Sequence, residues 1–306
     1  MTPTRALIRR LRHVVQAVAL SALAAFAATA SAAQPTPAKI TIPAVPVNVL
    51  TLNLWHDKGD WPKRRALIVE QIERLQPDLI ALQEVLQRPG LRNQAEDIAE
   101  ATGYQARFVS VDPPQAERRY GNAILYKPPA SAQQTKNLEP LSDYRTAAHA
   151  SKIFDAMHAG VDFYATHLHN ERDGGDIRRR QIASLLEFID ATQNNGGVIV
   201  AGDFNSDADS PELNALRARY RDAFAQFQPK LAADPKRATT LNPAYLPAQR
   251  IDHVFYDPKR FDVLDARIVL NQARDGVWAS DHFGLFVRLR PTHPLQSPGF
   301  KPADSH

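Results

Sequence analysis

Cysteine is absent from all 306 residues. That excludes disulfide staples, thiolate metal sites and a cysteine nucleophile, so stability must come from a buried core. Three motifs are also missing: a Gly-x-Ser-x-Gly elbow, a Gly-x-x-x-x-Gly-Lys phosphate loop and a His-Glu-x-x-His helix. Acid is missing from the first 32 residues, where Arg5, Arg9, Arg10 and Arg12 lie. The net charge of +4 belongs to that segment alone, because with those four set aside 33 basic side chains face 33 acidic ones. A near-neutral body does not imply salt-driven binding along a polyanion, and any basic surface must be a local patch. No internal repeat recurs at a fixed period.

The N-terminus carries a leader pattern. A basic stretch from Arg5 to Arg12 precedes an Ala/Leu/Val-rich segment from Val14 to Ala30, and Ala30-Ser31-Ala32 offers small residues for cleavage. The apolar stretch is short and weakly hydrophobic for a bilayer anchor. The expectation is therefore a signal peptide over 1–32 and export, to the periplasm or outside the cell. A Pro-rich linker over 33–46 leads into a folded domain over 47–290, with a loose tail over 291–306. With 44% apolar residues the domain can bury a large core.

Within the domain, strands and helices alternate. Apolar runs at Val47 to Trp55, Asp78 to Val85, Asn122 to Tyr126, Val161 to Thr166, Gly197 to Gly202, Arg250 to Tyr256 and Phe283 to Arg290 predict strands. Ile68, Ile72 and Leu75 share one face of a helix that Pro62 starts, and Ile182, Leu185, Leu186 and Ile189 mark a second. Such mixing predicts sheets packed together under outer helices. Residues 227–249, rich in Pro and polar groups, read as a long functional loop.

The informative residues are polar groups at the ends of apolar strands. Ile199-Val200-Ala201-Gly202 runs into Asp203 and, two residues on, Asn205. That spacing is compatible with an Asx-rich turn, or with two polar heads converging beyond a sheet edge where open sheets bind ligands. An Asp there can position water or bind metal, and an Asn can hold an oxyanion. Asn53, Glu84, His167, Asp252 and the pair Asp281-His282 sit in equivalent places. Burying such groups costs several kcal/mol unless they are paired or hold a metal, so their recurrence at strand ends points to one site.

Five segments together, TLNLW, ALQEV, THLHN, GDFNS, and RIDHVFY with SDHFGLF, resemble the endonuclease/exonuclease/phosphatase family over about residues 46 to 290. The resemblance implies an α+β fold, a four-layer α/β/β/α sandwich with two mixed β-sheets face to face and helices outside. It implies a phosphoester hydrolase using Mg2+ or Mn2+. Glu84 then matches the principal metal carboxylate, with Asn53 beside it and Asp281 as a further ligand. Asp203 matches the residue that orients or deprotonates water, and Asn205 the one that steadies the phosphorane. His282 matches the essential histidine, aligned by Asp252, and His167 a donor to phosphate oxygen. Asn122 and Arg178, the latter in an Arg178-Arg179-Arg180 run, are expected to bind phosphate or substrate. The expected partner is a phosphoester, with nucleic acid and membrane lipid both open, and the chain is expected to be a monomer. A non-catalytic binding module on the same fold and a phosphomonoesterase are the alternatives.

Overall fold

The structure, a computed structural model, describes residues 45–292 except 129, 154–159, 195 and 235, all within the unit Ala44–His306. The leader, most of the linker and most of the tail lie outside the described residues. Twelve strands are described: β1 Val47–Asn53, β2 Leu79–Gln87, β3 Gln105–Ser110, β4 Arg119–Tyr126, β5 Ala130–Asn137, β6 Thr146–Ile153, β7 Gly160–His167, β8 Gly197–Asp203, β9 Arg221–Asp222, β10 Asp252–Tyr256, β11 Phe261–Val269 and β12 Gly284–Pro291. Three helices cover them, α1 Trp61–Leu75, α2 Gln94–Thr102 and α3 Gly175–Thr192, followed by short pieces α4 Asn214–Arg217, α5 Ala223–Phe227 and α6 Pro229–Ala232.

The strands form two six-stranded mixed sheets, in the orders β11-β12-β1-β2-β4-β3 and β5-β6-β7-β8-β10-β9. Each has a parallel pair near its centre, β1 with β2 and β7 with β8. Strand alternation then sorts side chains into layers. Val47, Val49, Leu79, Ala81 and Ile124 of the first sheet meet Phe163, Ala165, Ile199, Ala201 and Val254 of the second in one inner core. The intervening Leu50, Leu52, Ile80 and Leu82 face outward, under Ile68 and Ile72 of α1 and Ile98 of α2. Tyr164, Val198, Val200 and Phe255 face outward on the other side, under Ile182, Leu185 and Ile189 of α3. The result is the four-layer sandwich.

Local chemistry sets the helix ends. Asp60 caps α1 by accepting from the Lys63 amide, and the chain leaves through Gln76 in the left-handed region. Asn93 caps α2 through the Ala95 and Glu96 amides, and Gly103 closes it. The 227–249 stretch is mostly non-repetitive, but α6 lies within it and Leu241 makes a bridge to His282.

Candidate active site

Parity along the strands decides which polar residues meet. Asn53 continues the inward series Val47, Val49, Thr51, and Asp203 continues Ile199, Ala201. Asp252 precedes inward Val254, and His167 follows inward Phe163 and Ala165. All four therefore point into the crevice between the sheets at one end of the sandwich. Asn53 Nδ2 donates to Asp203 Oδ2 at 3.0 Å, so the two sheets are joined by a hydrogen bond within the site. The register sets Asp252 opposite Asp203 and His167 beside Asp203 on the other side. Gly202, at φ 154°, makes the approach of β7 possible, since a Cβ there would lie 2.0 Å from the Thr166 carbonyl oxygen.

Glu84 reaches the crevice differently. Simple alternation from inward Leu79 and Ala81 would turn residue 84 outward. The pairing of β2 with β4 shifts register between Leu82 and Val85, and Glu84 takes φ 56°. A bulge of this kind re-aims a side chain at the cost of local strain. The Glu84 carboxylate lies near Tyr120, whose hydroxyl is pushed upward in pKa by burial and then by the Glu84 charge.

A relay of imidazoles and carboxylates fills the centre. His282 Nδ1 pairs with Asp252 Oδ2 at 2.8 Å, and its Nε2 lies 3.9 Å from Asp203 Oδ2. His167 Nε2 lies 3.5 Å from the same Asp203 oxygen. Burial alone would depress the His282 imidazole, but Asp252, helped by Asp203 and Asp281, outweighs it and pushes it up to about 10. Burial, reinforced by the Asp252 charge, pushes the Asp203 carboxyl up to about 7, against the pull of His282, Asn53 and the Asn205 amide. Burial, with Arg145 and His282 nearby, holds His167 well below its usual range, so its ring is neutral.

The loops behind the relay are tied to it. Thr240 Oγ1 accepts from the Ile251 and Asp252 amides at 3.0 and 3.1 Å, fixing the start of β10. Ser280 Oγ donates to the Asn53 carbonyl at 2.7 Å and accepts from the His282 amide at 3.1 Å. The Asn205 amide donates to Asp203 Oδ1 at 2.9 Å, and Asn205 Nδ2 donates to the Leu168 carbonyl at 3.0 Å. One amide hydrogen and the carbonyl oxygen of Asn205 are left for a ligand.

Two groupings bear on a metal. Asp203, Asp252 and His282 offer ligand atoms within 4.8 Å of one another. Their hydrogen bonds to each other and to Asn53 suit proton handling better than a cation cage. The half-buried Glu84 and Asp281 fit a hard divalent cation: burial raises the Asp281 carboxyl and the neighbouring Glu84 charge raises it further, the repulsion a cation relieves. Asn53 Oδ1 accepts only the Trp55 amide, at 2.9 Å, and keeps a second lone pair.

Two expected substrate-binding residues are corrected. Arg178 is buried, and its guanidinium is engaged by Glu212 and by the carbonyls of His169, Glu171 and Arg172. It builds the turn between β7 and α3 and has no direction in which to grip phosphate. Asn122 places both Nδ2 hydrogens on Thr146, at 3.1 Å to its carbonyl and 3.0 Å to its hydroxyl, and so clips β4 to β6 across the sandwich. A cation that does act on the relay is Arg145, whose charge reaches His167 and Tyr120 and which is held by Asn170 at 2.8 Å and Asp143 at 3.5 Å.

The profile of the Endonuclease/Exonuclease/phosphatase family matches residues 50–282. No curated protein matches the chain by sequence. Among solved structures, the human Nocturnin catalytic domain with bound sulfate anion is 20% identical, with TM-score 0.68 over 82% of this chain and 94% of that one. TDP2 of D. rerio complexed with single strand DNA product is 17% identical, with TM-score 0.66 over 80% and 99%. An endonuclease/exonuclease/phosphatase of Bacteroides vulgatus is 18% identical, with TM-score 0.63 over 81% and 99%. At these identities the structures share the fold, while the profile spans the strand ends that build the crevice. The chain belongs to the endonuclease/exonuclease/phosphatase family.

Proposed function

We propose that this protein is a divalent-metal-dependent phosphodiesterase that hydrolyses its substrate by in-line attack of water. The observation that carries the reading is Asp203, a buried carboxyl set between His167, His282 and Asn53 and poised at about 7. A base near the operating pH is what proton transfer from water requires. Mg2+ or Mn2+, held by Glu84 with Asn53 and Asp281, would neutralise charge on the phosphate when bound.

The side chains divide the remaining work. Asp203 takes the proton of the attacking water as the new oxygen–phosphorus bond forms. His282, kept protonated by Asp252, faces the same crevice and stabilises negative charge on the phosphorane. Neutral His167 donates an N–H to a phosphate oxygen, and the free amide hydrogen of Asn205 serves another. As the ester bond breaks, the leaving oxygen takes up a proton from solvent, and Asp203 releases to solvent the proton it took from water. The Arg-rich, Ala-rich N-terminus supports an exported enzyme.

The test is hydrolysis by the full chain with Mg2+ or Mn2+ and an EDTA control, on plasmid DNA, RNA, sphingomyelin and bis-(p-nitrophenyl) phosphate, with His282→Ala alongside. Metal-dependent cleavage lost in the variant is expected. Silence across the panel sinks the reading and favours a binding module.

A further inference from the structure

We propose that Trp55 and Tyr245 form a stacking site for a nucleobase adjoining the scissile phosphate. This rests on the phosphodiesterase reading and names its substrate class. Tyr245 is among the most exposed large apolar side chains, at 48%, and its ring centroid lies 4.8 Å from that of half-buried Trp55, with the planes tilted by 47°.

Both rings stand on backbone built into the catalytic end. Trp55 and His56 take φ 54° and 33°, which bulky side chains rarely adopt and which cost of order 1–3 kcal/mol each. Arg64, 2% exposed, holds this turn by donating to the carbonyls of Leu54 at 2.7 Å and His56 at 2.6 Å, and to that of Ala279 at 2.9 Å. The Trp55 amide fixes the Asn53 carboxamide that meets Asp203. Tyr245 is set by a turn on buried Asn242, whose amide donates to the Asp281 carbonyl at 2.8 Å and whose Nδ2 donates to the Ser280 carbonyl at 3.1 Å. The two rings thus rise from the two loops that frame Asn53 and His282. Strain kept at Trp55, beside a reacting centre and against the exposed Tyr245 ring, points to ligand contact rather than packing.

The chemistry favours a neutral planar ring. The Arg64 guanidinium lies 5.4 Å from the Trp55 centroid, so one face of that ring already carries a cation. A quaternary ammonium added to this ring pair would meet like charge, whereas a neutral nucleobase would not. Stacking of one base on such a ring is worth about 5- to 150-fold in binding.

The test compares wild type, Tyr245→Ala and Tyr245→Phe on a single-stranded oligonucleotide and on the same backbone carrying abasic sugars. Tyr245→Ala is expected to lower kcat/KM on the base-bearing strand about tenfold or more, to leave the abasic strand unchanged, and to be rescued by Tyr245→Phe. Equal losses on both strands would overturn the site, as would a Tyr245-dependent activity confined to choline phosphodiesters. A second readout needs no turnover: titration with a nucleoside monophosphate should quench tryptophan fluorescence in wild type but not in Tyr245→Ala, while ribose 5-phosphate leaves both unchanged. If no diester is cleaved but the quench holds, the hydrolase reading fails and the stacking site stands. If diesters are cleaved and no quench occurs, the stacking site falls alone.

Discussion

The two sheets supply the crevice in different ways. The second sheet delivers His167, Asp203 and Asp252 by plain strand alternation, each continuing a series of inward apolar residues. The first sheet delivers Asn53 by the same rule, but its acid, Glu84, only through a bulge and a left-handed residue, and it leaves the strand into the left-handed Trp55–His56 turn. One half is ordinary sheet that ends in polar groups, and the left-handed residue that follows it, Asn205 at φ 50°, is of a type that tolerates the conformation. The other half holds strain, and strain of this kind persists only where surrounding contacts over-determine it. The Arg64 anchor, which ties four carbonyls from two loops, is such a contact.

Substitutions can separate the halves. The largest effect is expected in the relaxed half. Asp203→Ala should lower kcat by about 10³- to 10⁴-fold at saturating metal, with the folded state retained. Near-normal turnover in a steady-state assay would remove Asp203 from the chemistry. Arg178→Met should act on stability instead. It strands the Glu212 carboxylate and should cost about 3 kcal/mol in urea denaturation, with kcat per folded molecule within about threefold. A selective rise in KM would restore Arg178 as a substrate ligand.

A pH effect of intermediate size follows from His253, buried between Arg250 and the Ser206 carbonyl. Burial, then the Arg250 charge, lowers its imidazole from 6.5 to about 4. The unfolded chain therefore binds a proton that the folded chain refuses, and stability is lost as pH falls from about 6.5 toward 4. By pH 5 the loss should be roughly 2 kcal/mol. Asp203, raised from 3.8 to about 7, works in the opposite direction over the whole of this range. The measurement is thus the difference between wild type and His253→Gln in denaturation at pH 7.5 and pH 5. Parallel pH dependence in the two proteins would contradict it.

The smallest effect tests the strained half. Glu84→Gly and Glu84→Ala should both be inactive, but the glycine variant should be more stable by about 1 kcal/mol, because φ 56° no longer opposes a Cβ. Equal stabilities would mean that the bulge stores nothing.

The same contrast explains what the sequence revealed. Alternating apolar runs ending in Asn53, His167, Asp203 and Asp252 made the inner layer and its polar rim readable. Edge strands such as β3, β5 and β11 were not foretold, since only one side of an edge strand faces a neighbour and their sequences alternate weakly. The bulge at Glu84 has no signature in Leu82-Gln83-Glu84-Val85, so the residue was legible but its route into the crevice was not. Arg178 was misread although a signal existed: with Ile182, Leu185 and Ile189 it lies at i, i+4, i+7 and i+11 on the buried stripe of α3. Tyr120 could have been found by parity, two residues before inward Asn122. Arg145, in an irregular segment before β6, carried no periodic cue.

Strand order bears on how the molecule comes into being. β1, which carries Asn53, is completed on one side by β12, antiparallel from Val47 opposite Leu289 to Thr51 opposite Leu285. A strand made near the start of the domain must wait for one made near its end, a closure of high contact order. During synthesis β1 therefore keeps one edge unpaired until Gly284–Pro291 has left the ribosome, and His282, two residues before that strand, reaches Asp203 no earlier. The crevice is therefore complete only when one of the last strands is laid beside the first.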